Sequence, residues 1–119
     1  MLTPEEITAV AYRALEDKKA KDVKILKTAE HTVLADYFVI CNGSSSTHIK
    51  ALVDEVDKQL SEAGEPPIRR EGLRSDIWVL MDFGSVIVHI FTDEARKFYN
   101  LERLWSDSVE VDPSSLLGP

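Results

Sequence analysis

Apolar positions along this chain recur with two different periods. Ile7, Val10, Ala11, Ala14 and Leu15 fall on one helical stripe. They follow Thr3-Pro4-Glu5-Glu6, in which Thr3 can cap, Pro4 suits the first helical position and Glu6 completes a capping box. From Asp22 to Lys27, Val23 and Ile25 alternate with charged residues, which predicts a half-exposed strand. Ala29-Glu30-His31-Thr32 reads as a turn. Tyr37-Phe38-Val39-Ile40-Cys41 is a continuous apolar run, the pattern of a strand covered on both faces. It stops at Asn42-Gly43-Ser44-Ser45-Ser46, where the last serines or Thr47 can cap a second helix. That helix carries Ile49, Leu52, Val53, Val56 and Leu60 on one stripe and ends near Gly64-Glu65-Pro66-Pro67. Ile68 to Glu71 fits a short edge strand. Ile77 to Met81 and Val86 to Phe91 are apolar runs joined by Asp82-Phe83-Gly84-Ser85, which predicts a hairpin. Thr92-Asp93-Glu94 opens a third helix with a cap and two acids at its positive end.

Directly joined strands favour antiparallel pairing, whereas the helix after residues 37–41 favours a crossover. The expected class is therefore α/β: one domain over residues 1–106, with a mixed sheet of about five strands and flanking helices. After Trp105 the periodicity stops, and 107–119 reads as an acidic, flexible tail.

Composition bears on the class of protein. Leu, Ile, Val and Phe make up 35 of the 119 residues, enough for a chain of this length to bury roughly two-thirds of its unfolded surface. The one cysteine, Cys41, excludes an intramolecular disulfide framework and fits a reducing compartment. No apolar run approaches the ~20 residues that span a membrane, and the start lacks a basic region leading into an apolar one, so a soluble, cytoplasmic protein is expected. The net charge is −7, and three of the acids lie beyond Ser106. Bulk nucleic-acid binding needs dense cationic surface; an acidic chain steers instead towards a basic partner, most simply a basic protein.

Chemistry-bearing residues are sparse. Gly43-Ser44 between a buried strand and a helix suits a phosphate cradle, and with Asp82 it has the outline of a nucleotidyltransferase. The second carboxylate of the metal-binding pair is missing from that strand, and the loop lacks a P-loop lysine. A tight turn with a helix cap is the simpler reading. His31, His48 and His89 stand in a turn, a first helical turn and an apolar strand, with no short ligand spacing for a metal. His89 reads as a core or sheet-surface histidine and Cys41 as a small buried hydrophobe. Trp78 and Met81 have opposite parity and point to opposite faces of their strand. Arg74, Trp78, Met81, Phe83 and Tyr99 are residue types that interfaces favour and form a candidate binding patch.

Four segments carry a resemblance. Asp36-Tyr37-Phe38-Val39-Ile40-Cys41-Asn42-Gly43-Ser44-Ser45-Ser46-Thr47-His48, Glu71-Gly72, Trp78-Val79-Leu80-Met81-Asp82-Phe83-Gly84-Ser85-Val86-Ile87-Val88-His89-Ile90-Phe91 and Phe98-Tyr99-Asn100-Leu101-Glu102-Arg103-Leu104-Trp105 resemble the ribosomal silencing factor (RsfS, or Iojap) family, in order and spacing, over roughly residues 4–106. Asp36, Trp78, Asp82, Gly84, His89, Tyr99, Leu101 and Trp105 occupy the family's characteristic positions. The resemblance implies a nucleotidyltransferase-like fold without catalytic carboxylates, no cofactor and no metal. It implies binding to ribosomal protein L-fourteen on the large subunit, where it blocks joining of the small subunit and represses translation. A role in large-subunit maturation is attached to relatives, and relatives can self-associate as homodimers. The expected contacts to the ribosomal protein are Arg74, Trp78, Met81, Asp82, Phe83, Gly84, Tyr99 and Leu101. The chain departs mildly at Ser85, where relatives often carry an acid after the glycine, and at Cys41-Asn42. The competing expectations are a nucleotidyltransferase-like enzyme or nucleotide binder using Gly43-Ser44, and a homodimeric scaffold with no ribosomal role.

Overall fold

The computed structural model describes residues 2–27, 35–72, 77–99 and 109–117. Helix α1 spans Pro4–Asp17. The Thr3 hydroxyl accepts the Glu6 N–H and the Glu6 carboxylate accepts the Thr3 N–H, closing the expected capping box. Strand β1 (Lys21–Lys27) pairs antiparallel with β2 (Tyr37–Gly43). Its register shifts between Lys21 and Lys24, where Asp22 sits at φ 49°. Beyond this bulge the pairing is regular, and Ile25 and Leu26, neighbours in sequence, point to opposite faces and are both buried because both faces are covered there. Helix α2 (Ser46–Glu62) is capped by Ser45, whose hydroxyl accepts the His48 N–H. It ends at Gly64, held at φ 90°.

The chain then forms β3 (Arg69–Glu71), β4 (Trp78–Asp82) and β5 (Val86–Thr92), followed by α3 (Asp93–Tyr99). β5 lies parallel to β2 through the crossover, and β4 joins β5 in the expected hairpin. The sheet is mixed, as expected, with order β3-β4-β5-β2-β1-β6.

The sixth strand is a correction. Val109–Glu110 (β6) pairs with Leu26 and Lys27 of β1, and the Val111 N–H donates to the Ile25 carbonyl. A short helix, α4 (Pro113–Leu117), follows, and Val111 and Leu116 pack partly buried against the core. Residues 109–117 are thus built onto the domain rather than forming a loose tail. The open edge of β1 supplies a backbone ladder that needs no periodicity in the incoming segment.

α1 and α2 cover one face of the sheet. Ala11, Leu15, Leu52, Val56 and Leu60 pack there against Val39, Cys41, Val79, Met81, Val88 and Ile90. The other face carries a second cluster, Leu26, Phe38, Ile40 and Phe91, with Ala95 of α3 over it. β2, covered on both sides, is buried along its whole length, as its continuous apolar run requires.

Candidate partner-binding face

Strand parity places Trp78, Leu80 and Asp82 of β4 on the face away from α1 and α2, beside Ile87, His89 and Phe91 of β5. Trp78, Leu80 and Ile87 are half-buried there, and Ile77 is 44% exposed at the strand's start. The indole of Trp78 stacks on Phe91 with ring centroids 5.1 Å apart and donates its N–H to Nδ1 of His89 at 3.1 Å. His89 is buried, edge-on to Phe38 at 5.1 Å. Burial pushes its pKa down to about 4, because the charged imidazolium would lose its hydration. The imidazole is therefore neutral near pH 7. Since Nδ1 accepts from the indole, the proton sits on Nε2, which has no hydrogen-bond partner among the described residues. Gly72 closes one side of the patch at φ 80°, and a Cβ there would lie 2.1 Å from the Trp78 carbonyl oxygen. A hollow of about 190 Å³ lined by Glu71, Gly72, Trp78 and Leu80 results.

The rest of the expected patch divides. Met81 is fully buried and Phe83 is 5% exposed, both within the helix-covered core, so neither is presented to a partner. Interface-type chemistry in the hairpin misled here: Met81 has the inward parity of β4, and the turn folds Phe83 under the sheet end. Asp82 and Gly84 build that turn. One Asp82 carboxylate oxygen accepts the Gly84 N–H at 2.8 Å, with Gly84 at φ 85°, and the other accepts Nε of Arg69 at 3.0 Å. Asp36 joins the turn through its backbone N–H, donated to the Ser85 carbonyl. Tyr99 is the last residue of α3, with its side chain outside the description, and Arg74, Leu101, Trp105 and His31 lie outside the described residues.

The other candidate chemistry is absorbed by the fold. Gly43 is a packing glycine: a Cβ would lie 2.6 Å from Ile49 of α2. His48 accepts the Ser44 N–H on Nδ1 at 2.8 Å, which leaves Nε2 to donate to the Lys18 carbonyl at 2.7 Å, tying the loop to the end of α1. Cys41 is wholly buried and its thiol is pushed up to about 12, so it carries no thiolate at neutral pH. Among the described residues no three His, Cys, Asp or Glu side chains gather as a metal site would require.

One polar cluster was not legible in the sequence. Asn42, at the end of β2, donates to Asp93 at 2.9 Å and accepts from Arg96 at 2.9 Å, and Arg96 also donates to the Asp22 carbonyl. These groups floor an open groove of about 820 Å³ with Lys21, Lys24 and Lys97 on its walls. Asn42 and Arg96 are buried and satisfied by one another and by their neighbours, which makes the cluster a lock between β1, β2 and α3. A polar residue ending an apolar run was the only hint.

Against this geometry, the family model described as ribosomal silencing factor during starvation matches residues 2–117. The chain belongs to the ribosomal silencing factor family. A ribosomal silencing factor RsfS of Halalkalibacterium halodurans is 38% identical over 111 residues, covering 93% of this chain and 95% of that protein. The mouse protein named mitochondrial assembly of ribosomal large subunit protein 1 is 34% identical over 95 residues, 77% of this chain but 42% of that one. A crystal structure of a Chromobacterium violaceum protein superposes with a TM-score of 0.86 at 38% identity, covering 88% of each chain.

Proposed function

We propose that this chain represses translation by docking the Trp78 face on ribosomal protein L-fourteen of the large subunit and so occluding the small subunit. The observation that carries the reading is a half-buried tryptophan, stacked and hydrogen-bonded, on the sheet face away from α1 and α2 of a silencing-factor chain. Tryptophans so held are the side chains that dominate interface energies. The net charge of −7 complements a basic ribosomal protein. With no metal-binding cluster among the described residues, occupation of a surface is the simplest way for a domain of this size to inhibit. Exclusion then demands competition: excess small subunit restores joining by mass action, and subunits already joined resist.

The test is sucrose-gradient sedimentation of purified subunits, adding the protein before or after they associate. Free subunits should be blocked and preformed couples spared. Equal inhibition of both sinks simple occlusion, and metal-dependent nucleotidyl transfer lost in Asp82→Ala would replace it with an enzyme. Trp78→Ala should weaken binding to the large subunit about 30-fold, the effect of losing ~2 kcal/mol at an interface anchor, while the protein stays folded. Raised salt should weaken binding modestly, since steering is screened beyond ~10 Å, without the collapse expected of an RNA binder.

A further inference from the structure

We propose that His89 is the positioning residue of this docking face: by accepting the indole N–H it holds the Trp78 ring in the orientation that a partner meets. The proposal rests on the docking reading above and goes further by assigning a role to a residue buried beneath that face.

The geometry is diagonal. In the β4–β5 ladder Trp78 lies opposite Phe91, and His89 lies opposite Leu80. The indole therefore stacks on its direct neighbour and reaches across to its diagonal one, with Trp78 and His89 ring centroids 5.9 Å apart and tilted by 38°. His89 in turn lies nearly coplanar in orientation with Phe91, 12° between the rings at 6.1 Å, and edge-on to Phe38. The stack on Phe91 sets the plane of the indole, and the hydrogen bond at 3.1 Å sets which edge points towards His89.

The choice of histidine is otherwise hard to account for. At 4% exposure it is almost wholly buried, and its Nε2–H is left without a partner among the described residues. A buried orphan donor opposes folding. Phenylalanine would fill the same space beside Phe38 and Phe91 without that penalty, but it offers no acceptor in the ring plane. What the imidazole supplies is a neutral nitrogen lone pair under the indole edge, kept available because burial disfavours the protonated form. A tryptophan ordered before docking loses less side-chain freedom when it binds.

The experiment uses the full chain labelled with nitrogen-15. The unaltered protein should show a through-hydrogen-bond coupling between the Trp78 indole nitrogen and His89 Nδ1, with the Trp78 signal identified by its loss in Trp78→Phe. His89→Phe should shift that indole resonance to a water-bonded position and weaken binding to purified large subunits about fivefold, the effect of re-ordering one mobile side chain, with an unchanged or higher melting temperature. His89→Asn, which returns an acceptor near the Nδ1 position, should recover most of the affinity. No coupling in the unaltered chain, an unmoved indole resonance in His89→Phe, or a moved resonance with unaltered affinity each overturns the proposal. If the unaltered chain binds no large subunit, the docking reading itself falls; a coupling and shift observed alongside would show that failure to lie in the partner and not in the Trp78–His89 bond.

Discussion

The two faces of the sheet solve different problems with the same strands. Under α1 and α2 the packing is almost wholly aliphatic: Leu15, Leu52, Val56 and Leu60 meet Val39, Val88 and Ile90. On the other face Asn42, His89 and Arg96 are buried, and Trp78 is half-buried. Aliphatic burial is non-directional and tolerates rearrangement as long as volume is kept. Buried polar groups are directional, costly when unpaired, and specify one arrangement. The helix-covered face therefore supplies stability. The polar-aromatic face gives up some of it to hold a few side chains in fixed places.

That contrast breaks most visibly in the aliphatic layer. Leu52→Ala removes a fully buried side chain and should cost about 3 kcal/mol, lowering the melting temperature by roughly 10 °C or more. Protein that remains folded should bind the large subunit as before. A loss of affinity at constant folded fraction would show that the two faces are coupled.

On the other face the largest effect is on pH dependence. Burial lowers the His89 pKa from its ordinary 6.5 to about 4, so the unfolded chain takes up a proton that the folded chain refuses. The stability is fully present above about pH 6.5 and falls as pH drops towards 4, by about 3 kcal/mol from this group. Denaturant midpoints of His89→Phe should decline less over that window than those of the unaltered chain. Parallel profiles would mean that His89 is protonated without difficulty in the folded state.

Next in size is the C-terminal segment. Deleting residues 109–119 removes β6 and the packing of the partly buried Val111 and Leu116, at about 2 kcal/mol by the area lost. The melting temperature should fall by about 5–10 °C, and an unchanged value would show that the segment contributes nothing. The smallest effect belongs to the hairpin's rim. Arg69→Ala breaks an ion pair whose arginine is 64% exposed, so it should change stability by less than ~1 kcal/mol. Asp82→Ala should cost more, because it also strips the turn of the carboxylate that accepts the Gly84 N–H.

Much of the fold was legible because its signals are local. Thr3 and Glu6 cap α1, Ser45 caps α2, the hairpin turns at Asp82–Ser85, and the apolar run of β2 is buried on both sides, each as the sequence indicates. The site was half legible. Parity separated Trp78 from Met81 but did not say which face the helices cover, so Met81 and Phe83 looked as available as Trp78. The hairpin register could have revealed the Trp78–His89 diagonal, since pairing outward from Asp82↔Ile87 sets Leu80 opposite His89. The Asn42–Asp93–Arg96 cluster left no such trace: Asn42 and Arg96 are 54 residues apart and meet only because β2 and β5 run parallel.

The sequence by itself determined the elements from α1 to α3, the caps of α1 and α2, the inward and outward alternation of β4, and the family. These depend on backbone preferences and periodicities within a few residues. Only the tertiary structure decided that both long helices cover one face, that Met81 lies beneath them while Trp78 stays half-buried on the other, and that Val109–Glu110 extends the sheet at β1. Burial is a property of what arrives from elsewhere in the chain, and an open strand edge accepts a backbone ladder from any segment that reaches it.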